Sequence, residues 1–586
     1  MMFMKRFRRL LAAGTASLMC MTVLSFGTIS AEEAEKTVLF SGSASKEFTT
    51  WDEWDKAVGL GSNEFDVNDF TEPFTMTVDY ESSGSPVLVF FSWTGGPSWC
   101  QMNPTYTSNG TAYYTYDTIC ENYGDDFSLL NGINVMPGGA DLTVTEVAFF
   151  YEGAQEEITV AYTGLAGEIV NDINAGWNLG NTFDSFGDWI YDYSSGTPSD
   201  FETSWGNPVT TEAMIGDVKA AGFNAVRIPV TWSQHIDDAN GYAIDEAWMD
   251  RVQEVVDYVI DNDLYCILNV HHDVGGNSWL KASESNIAQN GDKFKAVWTQ
   301  IATRFESYDS KLMFEGFNEI LDESNNWGYP GTAATSAVNT LNQMFVDTVR
   351  ATGGNNAERV LIVNTYAAGT NGSSQDDFVV PTDTAENSLI VEMHYYDPGA
   401  YCGEISADGN TQRVWTDGGG KSAMDGMLYN VYTHFTSKGI PVILGEFGAH
   451  NKDNESDRAD YAGYLVENAG KYGIKCFWWD SGGQIEADTE FGYYKGLALY
   501  DRYNSEWIFP EIVKAITGVD VTSASPAVKG DVNADGKLTV ADVVALQKWL
   551  LCGPDVTLVD WQAGDLCEDG KLNVFDLCIM KRKLLE

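Results

Sequence analysis

Two glutamates stand at the ends of apolar runs of β character. Glu319 closes Leu312-Met-Phe-Glu-Gly-Phe-Asn-Glu319, and Glu446 lies in Pro441-Val-Ile-Leu-Gly-Glu446-Phe-Gly. A carboxylate among apolar neighbours is costly unless it is paired, so neither placement is neutral. Two carboxyls held this way suit the cleavage of a glycosidic bond: one protonates the leaving oxygen while the other meets the oxocarbenium-like centre from the opposite face.

Other polar and aromatic residues end neighbouring runs: Asn181 and Asp184, Arg227, His271 and His272, Asn318 beside Glu319, His394 and Tyr396, and Trp478-Trp479. The adjacent histidines raise the question of a metal. Successive strand residues face opposite sides, so read as a strand pair they cannot chelate one ion, and no catalytic cofactor is expected. The same alternation makes one of Trp478 and Trp479 a core residue.

The runs that must position these groups number eight between residues 164 and 517: Ile173–Trp177, Ala225–Ile228, Tyr265–His271, Leu312–Phe317, Val360–Val363, Leu389–His394, Val442–Leu444 and Ile474–Trp479. Helical stretches separate them, such as Glu246–Ile260 with Ala247, Val252, Val255, Val256 and Val259 along one face. Alternation of this kind predicts a (β/α)₈ barrel with its polar residues on the catalytic rim at the C-terminal strand ends.

In barrel order, Gly176-Trp-Asn-Leu-Gly-Asn-Thr182, Trp205-Gly-Asn-Pro208, Phe223-Asn-Ala-Val-Arg-Ile-Pro229, Asn318-Glu319, Glu446 and Cys476-Phe-Trp-Trp-Asp480 resemble glycoside hydrolase family five, and among its members the subfamily-four endoglucanases, lichenases and xyloglucanases. The resemblance implies that Glu319 is the general acid/base and Glu446 the nucleophile. Asn318 is then expected at the sugar 2-hydroxyl, and Arg227 and Tyr396 as the pair that aims Glu446 and keeps it ionised. His271 and His394 fall at sugar-positioning and acid-supporting positions, His272 joins the binding set, Trp479 is the stacking platform, and Asn181 and Asp184 match distal glucose positions. The implied activity is a retaining endo-β-1,4-glucanase. A xyloglucanase, a mixed-linkage glucanase and a mannanase remain as alternatives, to be decided by cleft loops such as 185–202. A polysaccharide-binding passenger is the non-enzymatic alternative.

Residues 35–155 read as an all-β sandwich of short runs between Gly, Asn, Ser and Pro clusters. Trp93 and Trp99 flank a tight loop there, with Trp51 and Trp54 upstream, and flat rings of this kind suit the apolar faces of sugars. A carbohydrate-binding module is therefore expected.

After a linker at 518–529, residues 530–586 hold a duplication. Asp531, Asn533, Asp535, Lys537, Thr539 and Asp542 fall at positions 1, 3, 5, 7, 9 and 12 of a calcium loop; Asp565, Asp569, Lys571, Asn573 and Asp576 repeat the pattern, with Cys567 at position 3. Each loop precedes an apolar helix. The pair resembles a dockerin, which implies two Ca²⁺ ions and a cohesin on a scaffoldin as partner.

The chain of 586 residues exceeds one hydrophobic core, as three modules require. Lys5, Arg6, Arg8 and Arg9 ahead of an apolar stretch and Ser30-Ala31 predict a secretory signal over residues 1–31, hence an extracellular enzyme held on a cellulosome. A net charge of −51 repels phosphate backbones and anionic membranes, so neither nucleic acid nor membrane insertion is expected, and a neutral polysaccharide suits the surface better. The spread of the nine cysteines assigns no disulfide.

Overall fold

Eight short strands pair in parallel, each with the next and the last with the first: β1 (Gly176–Leu179), β2 (Ala225–Ile228), β3 (Tyr265–Asn269), β4 (Leu312–Glu315), β5 (Leu361–Asn364), β6 (Leu389–Tyr395), β7 (Val442–Phe447) and β8 (Lys475–Asp480). This closed barrel is the centre of a computed structural model. It describes residues 36–584 apart from 49–55, 71–73, 83, 94–96, 109, 152–159, 277, 405–410, 417–418, 483–495, 522–528, 531, 534–536, 552–557, 559–560, 562 and 568–570. The expected signal at 1–31, Trp51, Trp54 and the loop ligands Asp531, Asp535 and Asp569 lie outside the described residues.

Period-two alternation sorts each strand into a lumen face and a helix face. Ala225, Ile267, Met313, Ile362, Ile390, Ile443 and Phe477 form an apolar lumen layer, closed from below by Ala166, Ile169 and Val170 of helix Gly164–Asp172 and by Ile173. Gly176 completes the layer because the Phe477 ring occupies the space its Cβ would take, only 2.0 Å away. Two residues further along every strand comes a second layer of different chemistry: Asn178, Arg227, Asn269, Glu315, Asn364, Glu392, Gly445 and Trp479. The outward faces pack against helices such as Glu246–Asp261 and Glu284–Arg304 in the main core.

Two sequence expectations shift. The first strand starts at Gly176 rather than Ile173, because Ile173 caps the preceding helix and plugs the barrel floor. The third ends at Asn269, which leaves His271 and His272 beyond the strand.

Ahead of the barrel, a five-stranded and a four-stranded antiparallel sheet enclose a core that includes Phe74, Met76, Phe90, Tyr114, Ile133 and Phe149. On the outer face of the four-stranded sheet, Trp99 covers Val87, Val89 and Met136, and Trp93 stands 63% exposed. The five-stranded sheet turns its outer face to the barrel. There Tyr113 meets Tyr429 of helix Gly420–His434 at a ring separation of 6.1 Å, and from the adjoining helix Tyr116–Tyr123, Thr118 Oγ1 donates to Ser422 Oγ at 2.9 Å.

The C-terminal pair of helices, Val540–Leu550 and Val574–Lys583, packs through Val543, Leu546, Leu577 and Met580. The duplication holds in detail. Asp542 accepts from the amides of Asn533 (3.2 Å) and Thr539 (2.8 Å), and Asp576 from those of Cys567 (3.0 Å) and Asn573 (2.9 Å). Thr539 and Asn573 also cap their helices.

Candidate active site

Arg227 organises the second lumen layer. A guanidinium carries five N–H donors, and here each has an acceptor. Nε and one Nη2 hydrogen go to the two oxygens of Glu315 (2.6 and 2.7 Å), the other Nη2 hydrogen to Asn318 Oδ1 (2.8 Å), and the Nη1 pair to Asn178 Oδ1 (3.0 Å) and Glu446 Oε1 (2.7 Å). Burial opposes its charge, but Glu315, Glu392 and Glu446 outweigh that and hold its pKa well above the ordinary value. With its Oδ1 committed to Arg227, Asn318 presents Nδ2 as the donor available to a ligand.

Glu446 rides on β7 and is 5% exposed. Its other oxygen accepts from Tyr396 OH at 3.0 Å and lies 3.5 Å from His394 Nδ1. The sequence reading has Arg227 and Tyr396 keeping this carboxylate ionised; in the structure the cations soften a larger opposing effect. Burial raises the Glu446 pKa, His394 and Arg227 lower it, Glu319 raises it again, and the net is upward.

Glu319 follows β4 and is more open, with His394 Nδ1 at 2.8 Å from Oε1. One oxygen of Glu319, one of Glu446 and a ring nitrogen of His394 all lie within 4.8 Å of one another. Burial disfavours the charged form of His394, but Glu446, Glu319 and Glu392 overcome it and push its pKa up to about 10.

His271 is fixed by its neighbours. Asn269 Oδ1 accepts from Val230 N–H and its Nδ2 donates to both Glu315 and His271 Nδ1, so His271 carries its proton on Nε2 as a donor. Burial and the nearby His272 and Arg227 keep it neutral. The opposite-faces argument for His271 and His272 fails, because both lie past the end of β3: their rings approach to 4.4 Å, and each offers an atom within 4.8 Å of Asp184 and of the other. The hydrogen bond into His271 Nδ1 and the proton on its Nε2 leave that ring no lone pair for an ion, so the trio does not fit a metal in this state.

Asp184, expected at a distal glucose, is 0% exposed. Its Oδ1 accepts from Thr182 N–H at 2.6 Å and its Oδ2 lies 3.8 Å from His272 Nε2, so it acts on the cleft through His272. Asn181 sits in the adjoining turn at φ 55°, its carbonyl held by Asn207 Nδ2.

Trp479 and Trp478 separate as alternation requires. Trp478 is fully buried and donates Nε1–H to the Leu497 carbonyl. Trp479 belongs to the lumen layer, lies parallel to His271 at 5.5 Å, and backs onto Gly180, whose Cβ would come within 2.8 Å of its ring. Sequence reasoning passed over Glu315, Glu392, Asn178, Asn269 and Asn364, and the aromatic edge where Phe186 and Trp205 flank His272 at 5.2 and 5.7 Å.

Beyond the barrel, Asp565, Cys567 and Asp576 offer atoms within 4.8 Å of one another in the second C-terminal loop. Two carboxylates beside a thiol fit a hard cation, with the thiol the weakest donor.

Comparison with known proteins agrees with this arrangement. A family model for cellulase (glycosyl hydrolase family 5) matches residues 189–484, one for carbohydrate binding module 65 domain 1 matches 40–147, and one for the dockerin type I domain matches 529–585. Endoglucanase B of Clostridium cellulovorans is 37% identical over 411 residues, 69% of this chain and 88% of that protein. Among solved structures, a GH5-4 broad specificity endoglucanase from Ruminococcus champanellensis with bound cellotriose is 42% identical with a TM-score of 0.55, over 62% of this chain and 100% of that one. XEG5A, a xyloglucan-specific endo-β-1,4-glucanase from a metagenomic library, is 37% identical with a TM-score of 0.54, over 60% and 98% of the two chains. The chain therefore belongs to glycosyl hydrolase family 5, as a cellulase that carries a family 65 carbohydrate-binding module before its barrel and a type I dockerin after it.

Proposed function

We propose that the protein is a secreted, retaining endo-β-1,4-glucanase that cleaves cell-wall β-glucans while docked through its C-terminal module to a cohesin. The observation that carries this reading is the approach of Glu319 and Glu446 to within 4.8 Å between oxygens. That belongs with the separation of about 5–5.5 Å for direct attack rather than the about 6.5–9.5 Å that leaves room for a water. Glu446 attacks the anomeric carbon as Glu319 gives its proton to the departing oxygen. Glu319, now a base, takes a proton from water; the hydroxide oxygen bonds to the same carbon, the Glu446 ester is released, and configuration is retained. Nδ2 of Asn318 is the donor to the 2-hydroxyl, His271 Nε2–H orients the sugar, and Trp479 lies beneath it.

The two loops of the dockerin fit calcium: Asp531, Asn533, Asp535, Lys537, Thr539 and Asp542 would hold one ion, and Asp565, Asp569, Lys571, Asn573 and Asp576 a second, ordering the helices that meet the cohesin. The likeness to a broad specificity endoglucanase supports a β-glucan range rather than one polymer. Reducing-sugar release from carboxymethylcellulose, barley β-glucan, xyloglucan and mannan in parallel tests the reading, with NMR of the first product for its anomer. A β-anomer from the first three substrates is the expected result. An α-anomer, or binding without release, would overturn it.

A further inference from the structure

Glu392 is a second-layer carboxylate that the two-glutamate chemistry does not use. It is fully buried on β6, with Asn364 Nδ2 donating to Oε2 at 2.8 Å. Its Oε1 faces two cations, Arg227 Nε at 3.3 Å and His394 Nε2 at 3.6 Å. The neighbouring strand makes room for it: a Cβ on Gly445, the residue before the nucleophile, would fall 1.5 Å from Glu392 Oε1. The β6–β7 pairing shifts register at this point, which sets His394 opposite Glu446.

His394 thus stands between Glu392 behind it and Glu319 and Glu446 in front of it. Among the described residues, Glu392 Oε1 is what faces its Nε2, and that oxygen in turn meets only this ring and Arg227 Nε. The remaining charged and titratable neighbours are Arg227 from β2, Glu315 from β4 and His271 after β3. Burial resists charge on Glu392, but Arg227, His394 and Asn364 together hold it in the carboxylate form.

We propose that Glu392 is a positioning residue of the reaction: it keeps the His394 ring doubly protonated, and through that ring sets the pH at which the nucleophile Glu446 works. The proposal rests on the double-displacement reading above. An imidazolium beside a carboxyl favours its ionised form. With His394 cationic, Glu446 ionises at lower pH than its burial alone would allow, and Glu319 has a counter-ion when it returns as base. In Glu392→Gln, the amide oxygen faces Asn364 and the NH₂ faces His394 Nε2, which then accepts. His394 keeps its Nδ1–H toward Glu319 and loses its charge, while the new NH₂ meets Arg227 Nε, 3.3 Å from the oxygen it replaces.

The test uses the full chain labelled with ¹⁵N-histidine, six residues in all, with His394 assigned by its loss in His394→Asn. In the parent, His394 should remain imidazolium through neutral pH; in Glu392→Gln it should be neutral there. The acidic limb of kcat/KM against pH on barley β-glucan, set by Glu446, should move upward by about one unit, in keeping with a nearby charge removed, and Glu392→Asp should restore the parent profile. A neutral His394 in the parent overturns the proposal without any variant. A folded Glu392→Gln with an unmoved acidic limb, or with only a lower melting temperature, overturns it as well. A parent inactive on every glucan but with the expected histidine titration would instead sink the function and leave the relay standing.

Discussion

Gly445→Ala is the sharpest probe of the packing under the nucleophile. The new methyl would lie 1.5 Å from Glu392 Oε1, 2.5 Å from its Cδ and 2.9 Å from its Cγ. Ordinary contact between heavy atoms is about 3.5 Å, so the carboxylate must retreat by about 2 Å. That breaks the 2.8 Å bond from Asn364 and the approach to Arg227. Losing a hydrogen bond to a buried charge costs about 1.5–3 kcal/mol, and overfilling a packed layer about 1–3 kcal/mol more. With an unfolding entropy of about 2.1 cal/mol/K per residue over roughly 350 residues, the barrel's Tm should fall by about 3–8 °C. Scanning calorimetry on Gly445→Ala, Glu392→Ala and the double variant reads the coupling. In the Glu392→Ala background the methyl enters vacated space, so the second substitution should cost little, and the coupling should approach the whole single-variant cost of about 2.5–6 kcal/mol. Additive Tm losses would refute the claim that Glu392 is what excludes a side chain at 445.

Glu446→Gln should lose nearly all turnover on every glucan while keeping its fold by circular dichroism; near-normal activity would remove Glu446 from its role. Because burial carries the Glu446 pKa upward, the acidic limb of kcat/KM should fall above the ordinary glutamate value of about 4.3, and a limb below that value would contradict the electrostatics described here. Cys567→Asp should tighten the weaker of two calcium sites in titration calorimetry of the full chain, since an oxygen replaces a soft sulfur; equal sites in the parent would argue against the assignment. Trp93→Ala, at a ring 63% exposed and so of little weight for folding, should weaken retardation of the chain on β-glucan gels, and unchanged migration would exclude Trp93 from the binding face.

The barrel and its two glutamates were legible because charge at the end of an apolar strand is an anomaly that one sequence can display. Arg227 was legible for the same reason. Its principal partner was not: Glu315 lies 88 residues away in sequence, inside a run that reads as ordinary strand, and only closure of the barrel brings the two together. Glu392, inside the run Leu389–His394, is hidden in the same way, although counting two residues on from each apolar lumen position finds the whole polar layer. The histidine pair was misjudged because a strand boundary two residues out reverses an alternation argument. Trp479 and Trp478 fall on the lumen and core sides as alternation predicts, because their register lies inside a strand.

The seating of the N-terminal module has a consequence for what the enzyme meets. One sheet rests on the barrel through Tyr113, with Thr118 of the helix that follows its strand, and the other, bearing Trp93 and Trp99, faces away across a sandwich about 10 Å thick. A glucan lying on that averted sheet is not the stretch lying in the cleft. If Trp93 and Trp99 hold glucan as proposed, the two sites make a bivalent pair whose gain comes from effective concentration, realised where many chains lie side by side and lost on a short soluble oligomer that cannot reach both.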